Sequence, residues 1–300
     1  MTNQQEETGR ETIVEIARSE TEATVREAAA TREAEPTITT EAGEDQRSGL
    51  YLYGIADASV QAELGEIGIE KTEVYTIPYK ELAAIVHDSL LEPYKSDDGE
   101  VVKGWVETHQ HVLDIAEEKF GTVIPFGFDR IIKPEANASA KDVLSKWMAK
   151  EFDRLKEKME KIRGKKEYGV QIFYRPSVMS ERIAEECEEI RKIKEEMESQ
   201  SPGIAYLYKQ KLESALKKEM ELRMLARFKD FYERIKKHVA EIKVEKTKRT
   251  NEKDKQMMMN LSCLVANERY KELGAALEEI NKEEDFTVRF TGPWPAYSFV

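Results

Sequence analysis

The chain has 300 residues, 35% of them charged and 40% hydrophobic, with a formal net charge of −12. That length suggests two domains, or one with appendages, and the composition suits modest cores dressed in long solvated helices. The acidic balance argues against nucleic acid or an anionic membrane surface as a partner, since both reward basic patches.

Residues 1–48 carry twelve of the acids against five arginines and contain no aromatic residue. So few apolar side chains cannot offset the entropy of ordering, so the segment reads as a disordered acidic tail, dispensable for folding. A transient helix is conceivable only around Ile13–Ala30. Met1 is followed by polar and acidic residues, with no apolar signal segment. The longest uncharged run, Gln256–Asn267, falls short of the ~18–20 residues of a membrane span. Cys187 and Cys263 are isolated, and the expectation is a reduced, cytoplasmic protein.

Folded sequence is expected from residue 49. Leu50–Ala56 is a β-rich run, and Val74–Tyr79 with Leu82–His87 reads as a hairpin turning around Pro78, Tyr79 and Lys80. Asp98-Gly99 closes a polar loop. Val102, Trp105, His109, Val112 and Ala116 then recur at 3–4 spacing, one buried helical face. A short apolar run follows Gly121, and after Pro134 comes a second helix bearing Leu144, Trp147, Phe152, Leu155, Met159 and Ile162. Residues 49–163 thus form an N-terminal α+β domain, with Gly164 as the hinge.

Residues 164–300 form the second domain. Glu167–Tyr174 reads as a strand, and Ile183, Ile190, Ile193 and Met197 stripe one helix up to the Ser201-Pro202-Gly203 turn. A longer helix follows, striped by Leu225, Phe228, Tyr232, Ile235 and Val239, and the two pack as an antiparallel hairpin. Ile242 and Val244 mark a short strand. Met257, Met259, Leu261, Cys263 and Val265 alternate as another, and Tyr270, Leu273, Leu277 and Ile280 stripe a last helix. Phe286, Val288 and Phe290 form the last strand. This order predicts an α+β protein of two domains, the C-terminal one a modified ferredoxin-like fold with a helical-hairpin crossover.

Chemistry is conspicuously missing. His109 and His111 suggest a metal, but i and i+2 on a helix lie about 200° apart and cannot share one ion. His109 therefore reads as a hydrogen-bonded core histidine. No Cys-x-x-Cys pair or phosphate-cradling glycine motif occurs. The basic run Lys243–Lys255 is interleaved with acids and lacks stacking aromatics, so it reads as a loop. No enzyme, cofactor, metal, nucleic-acid partner or small-molecule substrate is expected.

The C-terminus is the most distinctive stretch. Gly292 and Pro293 end the last strand, and Pro293 and Pro295 bracket Trp294 before Tyr297, Phe299 and Val300. Trp294, Tyr297, Phe299 and Val300 are candidates for an interaction or packing tail, held by the chain's own domains rather than by a partner. The ending GPWPAYSFV (Gly292–Val300) resembles the GPWPPYSFV terminus of the gas vesicle proteins of the GvpL/GvpF family, with Ala296 where proline is commoner. YLYGI (Tyr51–Ile55), ELAAIVHDS (Glu81–Ser89), GKKEYGV (Gly164–Val170), GIAYLYKQK (Gly203–Lys211) and NLSCLV (Asn260–Val265) are similar to further family segments. Phe126-Gly127-Phe128-Asp129 departs from the family's Phe-Gly-Thr pattern. The resemblance covers most of residues 50–300. It implies an accessory or minor structural protein of the gas vesicle, located in the cytoplasm or on the vesicle. Its implied partners are the hydrophobic shell protein, whose nucleation or assembly it would assist, and other gas vesicle accessory proteins. The alternative from fold alone is a ligand-sensing ferredoxin-like regulatory module.

Overall fold

The computed structural model describes residues 48–199 and 201–300. The expectation of a disordered tail therefore lies, Ser48 apart, outside the described residues. The chain mixes helices and strands as an α+β protein and divides into two compact units. One comprises residues up to Gly164 together with Trp294–Val300, the other Lys165–Pro293.

The first unit is built on β1 (Gly49–Ala56), which is buried along its whole length. Its sheet has the order β2-β3-β4-β1-β5, where β2 is Glu63–Gly65, β3 Val74–Tyr79, β4 Leu82–Ser89 and β5 Val123–Pro125. β6 (Ile131–Ile132) also pairs with β1. The β3–β4 hairpin turns through Lys80 at φ 52°. Helix α1 (Gly99–Phe120) starts where Asp98 accepts the Glu100 N–H and stops at Gly121, φ 84°, a left-handed position that favours glycine. Its face of His109, Val112, Leu113 and Ala116 is buried on the side of the sheet that carries Tyr51 and Tyr53. Helix α2 (Ala140–Ile162) opens with a Ser139/Asp142 capping box and buries seven side chains from Ala140 to Ile162.

β1 is crossed at close range. A Cβ on Gly54 would stand 2.6 Å from the Ile124 carbonyl oxygen and 2.9 Å from Val123 Cγ1. Both neighbours belong to the paired strand β5 and cannot swing away. Gly54→Ala is therefore expected to cost ~1–3 kcal/mol as overpacking. A urea titration of the variant checks this, and an unshifted midpoint would show that β5 yields.

The second unit comprises β7 (Lys165–Tyr174), α3 (Pro176–Glu186), α4 (Glu188–Glu198), α5 (Pro202–Lys236), β8 (Glu241–Val244), β9 (Gln256–Ala266), α6 (Tyr270–Asn281) and β10 (Phe286–Trp294). Its sheet order is β10-β7-β9-β8, and β9 runs antiparallel to both β7 and β8. Val170 and Ile172 of β7 meet Met259, Leu261, Cys263 and Val265 of β9 in one core, completed by α6 and by Phe231 and Ile235 of α5.

Three expectations need correcting. The helix read across Ile183–Met197 is two helices, because Cys187 adopts an extended ψ of 110° and caps both α3 and α4. The buried stripe of α5 does not contain Leu225, which is 52% exposed. It runs instead through Met220, Met224, Phe228, Phe231 and Ile235. That stripe shares Phe228 and Ile235 with the expected one, so local spacing could not separate them. Finally, the tail assigned to the C-terminal domain groups with the first unit from Trp294 onward.

Candidate functional site

The first unit holds a buried polar centre among aromatic rings. Period-2 alternation puts Tyr51 and Tyr53 on one face of β1, both fully buried. β4 presents His87 and α1 presents His109 to the same centre. His109 Nε2 lies 3.0 Å from the Phe126 carbonyl oxygen, which only accepts, so this nitrogen carries the proton. His109 Nδ1 then accepts from Tyr51 Oη at 2.9 Å, and Tyr51 Oη itself accepts the Asp129 N–H at 2.9 Å. In the second half Tyr53 Oη accepts the Ile69 N–H and lies 2.8 Å from His87 Nδ1, while His87 Nε2 lies 3.1 Å from Tyr94 Oη, so the neutral ring donates to one tyrosine and accepts from the other. The Tyr94 N–H donates to Asp129 and joins the two halves. Stacking of Tyr51 on His87, centroids 4.9 Å apart, fixes the rings.

Burial sets the electrostatics of this centre. It pushes His87 and His109 down to about 4 and Tyr94 up to about 12, with Tyr51 and Tyr53 raised further. Every ring is thus neutral near pH 7, and none is poised to exchange protons as a general acid or base. Cys263, the buried thiol, is likewise pushed up to about 12, first by burial and then by Glu167, and is a poor nucleophile. Both nitrogens of His109 are engaged and His111 is exposed, so the structure does not bring the two together. No group of three or more His, Cys, Asp or Glu residues suited to a metal occurs among the described residues. Chelator treatment is expected to leave the melting temperature unchanged. A clear drop on adding EDTA would reveal a metal bound elsewhere in the chain.

The tail supplies the second candidate. Past Gly292-Pro293, which is cis, the chain makes a short turn in which the Tyr297 N–H donates to Pro295 O and the Phe299 N–H to Ala296 O. Phe299 and Ala296 are buried, Trp294 and Val300 half-buried, and Tyr297 exposed. Lys161 of α2 stands 5.7 Å from the centre of the Phe299 ring. Tyr297 Oη reaches Gln110 of α1 at 3.4 Å. The four candidates thus divide: Phe299 anchors, Trp294 and Val300 are half-buried, and Tyr297 presents surface.

The second unit has a cavity of about 280 Å³ whose lining includes Met179, Arg182, Arg223, Met224, Arg227 and Phe286. Its cations are already matched, Arg182 by Glu284 and Asp285, Arg223 by Glu186 and Glu219, and Arg227 by Glu283. An incoming anion would have to displace a carboxylate.

Sequence reasoning identified His109 but missed its partners Tyr51 and Phe126, and with them His87, Tyr94 and Asp129 of the same network. The only signal was the alternation in Leu50-Tyr51-Leu52-Tyr53, which says two tyrosines share a face but not what they bond. The segment that departs from the resembled family pattern, around Phe126–Asp129, is the one that provides the centre with a carbonyl acceptor and an N–H donor.

Residues 49–300 match the family model described as gas vesicle synthesis protein GvpL/GvpF. Gas vesicle protein L of Haloferax mediterranei is 27% identical over 77% of this chain and 72% of its own length. Gas vesicle protein L1 of Halobacterium salinarum is 26% identical over 84% and 90% respectively. Among solved structures, gas vesicle protein GvpF from Anabaena superposes with a TM-score of 0.68 at 19% identity, covering 84% of this chain and 98% of that one. At that identity the superposition shows a shared fold.

Proposed function

This chain belongs to the GvpL/GvpF family of gas vesicle synthesis proteins, and from that premise we propose that it is an assembly or minor structural protein of the gas vesicle rather than an enzyme. In this reading it works in the cytoplasm or on the vesicle, binds the hydrophobic shell protein together with other accessory proteins, and assists nucleation or growth of the shell. The observation that carries the proposal is the family match across residues 49–300. Physical sense supports it. A very apolar shell subunit needs a water-compatible partner that masks it before assembly, and a charged chain with local apolar surface meets that need. Such surface exists here, since Ile204, Tyr206 and Leu207 at the start of α5 are all well exposed. No helix of the described residues is long and apolar enough to cross a membrane.

We read the second unit as ferredoxin-like. The order β10-β7-β9-β8 is the one a split βαβ produces, and α3, α4 and α5 would stand in for its first crossover helix. The ligand-sensing alternative draws less support, because the cavity arginines in that unit are already paired with carboxylates.

A pulldown of the purified full-length chain with the gas vesicle shell protein tests the function directly, run beside a metabolite thermal-shift screen. Stoichiometric capture of the shell protein with no metabolite shift is the expected result. A metabolite that raises the melting temperature, with no capture, would transfer the case to the sensing module.

A further inference from the structure

Helix α5 has a second face that its own unit leaves open. Ile204, Leu207, Leu222 and Leu225 are 47% to 62% exposed. Ile204 and Leu222 lie about five turns apart on one side of the helix, as do Leu207 and Leu225. Lys211, Ser214 and Lys218, all exposed, fill the stripe between these two apolar pairs. Read from either end, the face runs apolar, apolar, cation, with a small residue near its middle.

Such a stripe is its own complement. When a second α5 is laid antiparallel about a two-fold axis beside Ser214, Ile204 meets Leu225, Leu207 meets Leu222, and the same contacts recur on the other side of the axis. An isologous interface needs this symmetry. Ser214 comes next to its own copy, where a small side chain lets the helices close. A parallel pair would align apolar residues too, but Phe231 and Ile235, the fully buried residues of α5, hold the sheet against its C-terminal half. Two sheets would then crowd one end of the pair. The antiparallel pair sets each sheet beside the other helix's N-terminal half and opposes the helix dipoles favourably.

We propose that two copies of this chain associate antiparallel through α5, burying Ile204, Leu207, Leu222 and Leu225 of each with Ser214 at the axis. Half-exposed leucines and isoleucines leave roughly 100 Å² apiece, so eight of them hide about 800 Å², short of the ~1,200–2,000 Å² of a stable complex. The register also sets Lys211 against Lys218 on each side of the axis, and like charges oppose the contact. The dimer is therefore weak and reversible, and forms where copies are concentrated. Paired copies withhold Ile204 and Leu207 from other apolar surfaces until the pair opens. The pairing itself does not rest on the gas vesicle role.

Sedimentation equilibrium of the full-length chain tests this. Wild type is expected to dimerise with a Kd on the order of 10⁻⁴ M, and more tightly as salt screens the lysines. Lys211→Glu should tighten the dimer ~10-fold, because each new glutamate meets Lys218 of the other copy. Lys211→Glu/Lys218→Glu should undo that gain by setting glutamate against glutamate, and Leu207→Asp/Leu222→Asp should leave a monomer. These positions are exposed, so the fold itself is not at stake. Wild type and Lys211→Glu chains that both stay monomeric overturn the proposal. A dimer indifferent to the leucine substitutions overturns it by placing the contact elsewhere. A dimer that gains nothing from Lys211→Glu overturns it as well, since a parallel pair sets each position 211 against itself.

Discussion

Acidification from pH 7 to pH 5 is expected to lower the melting temperature of the first unit by on the order of 10 °C. His87 and His109 are buried at 0% and 2% exposure, and burial holds both down to about 4. The unfolded chain binds protons on these rings near pH 6.5, whereas the folded one does so only near 4. Their contribution is therefore complete above about pH 6.5 and lost as pH falls from there toward 4. By pH 5 the loss is ~2 kcal/mol per histidine, hence ~4 kcal/mol for the pair. At ~2–4 °C per kcal/mol the shift is large enough to dominate a melting curve. All three tryptophans, Trp105, Trp147 and Trp294, belong to the first unit, so their fluorescence follows this unit alone. The variant His87→Gln/His109→Gln, whatever its starting stability, should melt with little dependence on pH over the same range. A flat wild-type profile, or an equal slope in the variant, would show that the centre admits protons while folded.

Phe299→Ala is expected to remove ~3–5 kcal/mol from the same unit, the usual cost of emptying a buried phenylalanine site. Tyr297→Ala should cost ~1 kcal/mol or less, because Tyr297 is 37% exposed. The contrast separates an anchor from a presented surface within three residues of chain. Melting followed by tryptophan fluorescence at pH 7 gives both values. Two variants that melt like wild type would mean that the tail is held by a partner, and the cis reading would fail. If Tyr297→Ala keeps its stability but loses the shell protein in the pulldown, the exposed half of the tail is the contact. Full stability and full capture in that variant would place the contact elsewhere.

Local physics was enough to reveal the elements. Leu50–Ala56 is a β-rich run buried on both faces, whereas the 3–4 spacing from Val102 to Ala116 and the apolar positions of Leu261, Cys263 and Val265 each depend on one period and one buried face. The family, too, was legible at the C-terminus, where GPWPAYSFV (Gly292–Val300) resembles the family's own ending. Tertiary structure decided what spacing leaves open. Phe228 and Ile235 belong equally to two stripes of α5, and only packing against α3, α4, β9 and α6 chose the one that leaves Leu225 in water. Cys187 interrupts a helical pattern that continues on either side of it, so the break follows from how α3 and α4 pack. His109 looked like a core histidine, but its tautomer depends on Phe126 and Tyr51, which arrive from two other places in the chain, and its neutral state on burial. The tail's anchor was an aromatic residue in any reading. That Phe299 settles within the first unit, after a strand of the second, is a long-range choice that no local period encodes.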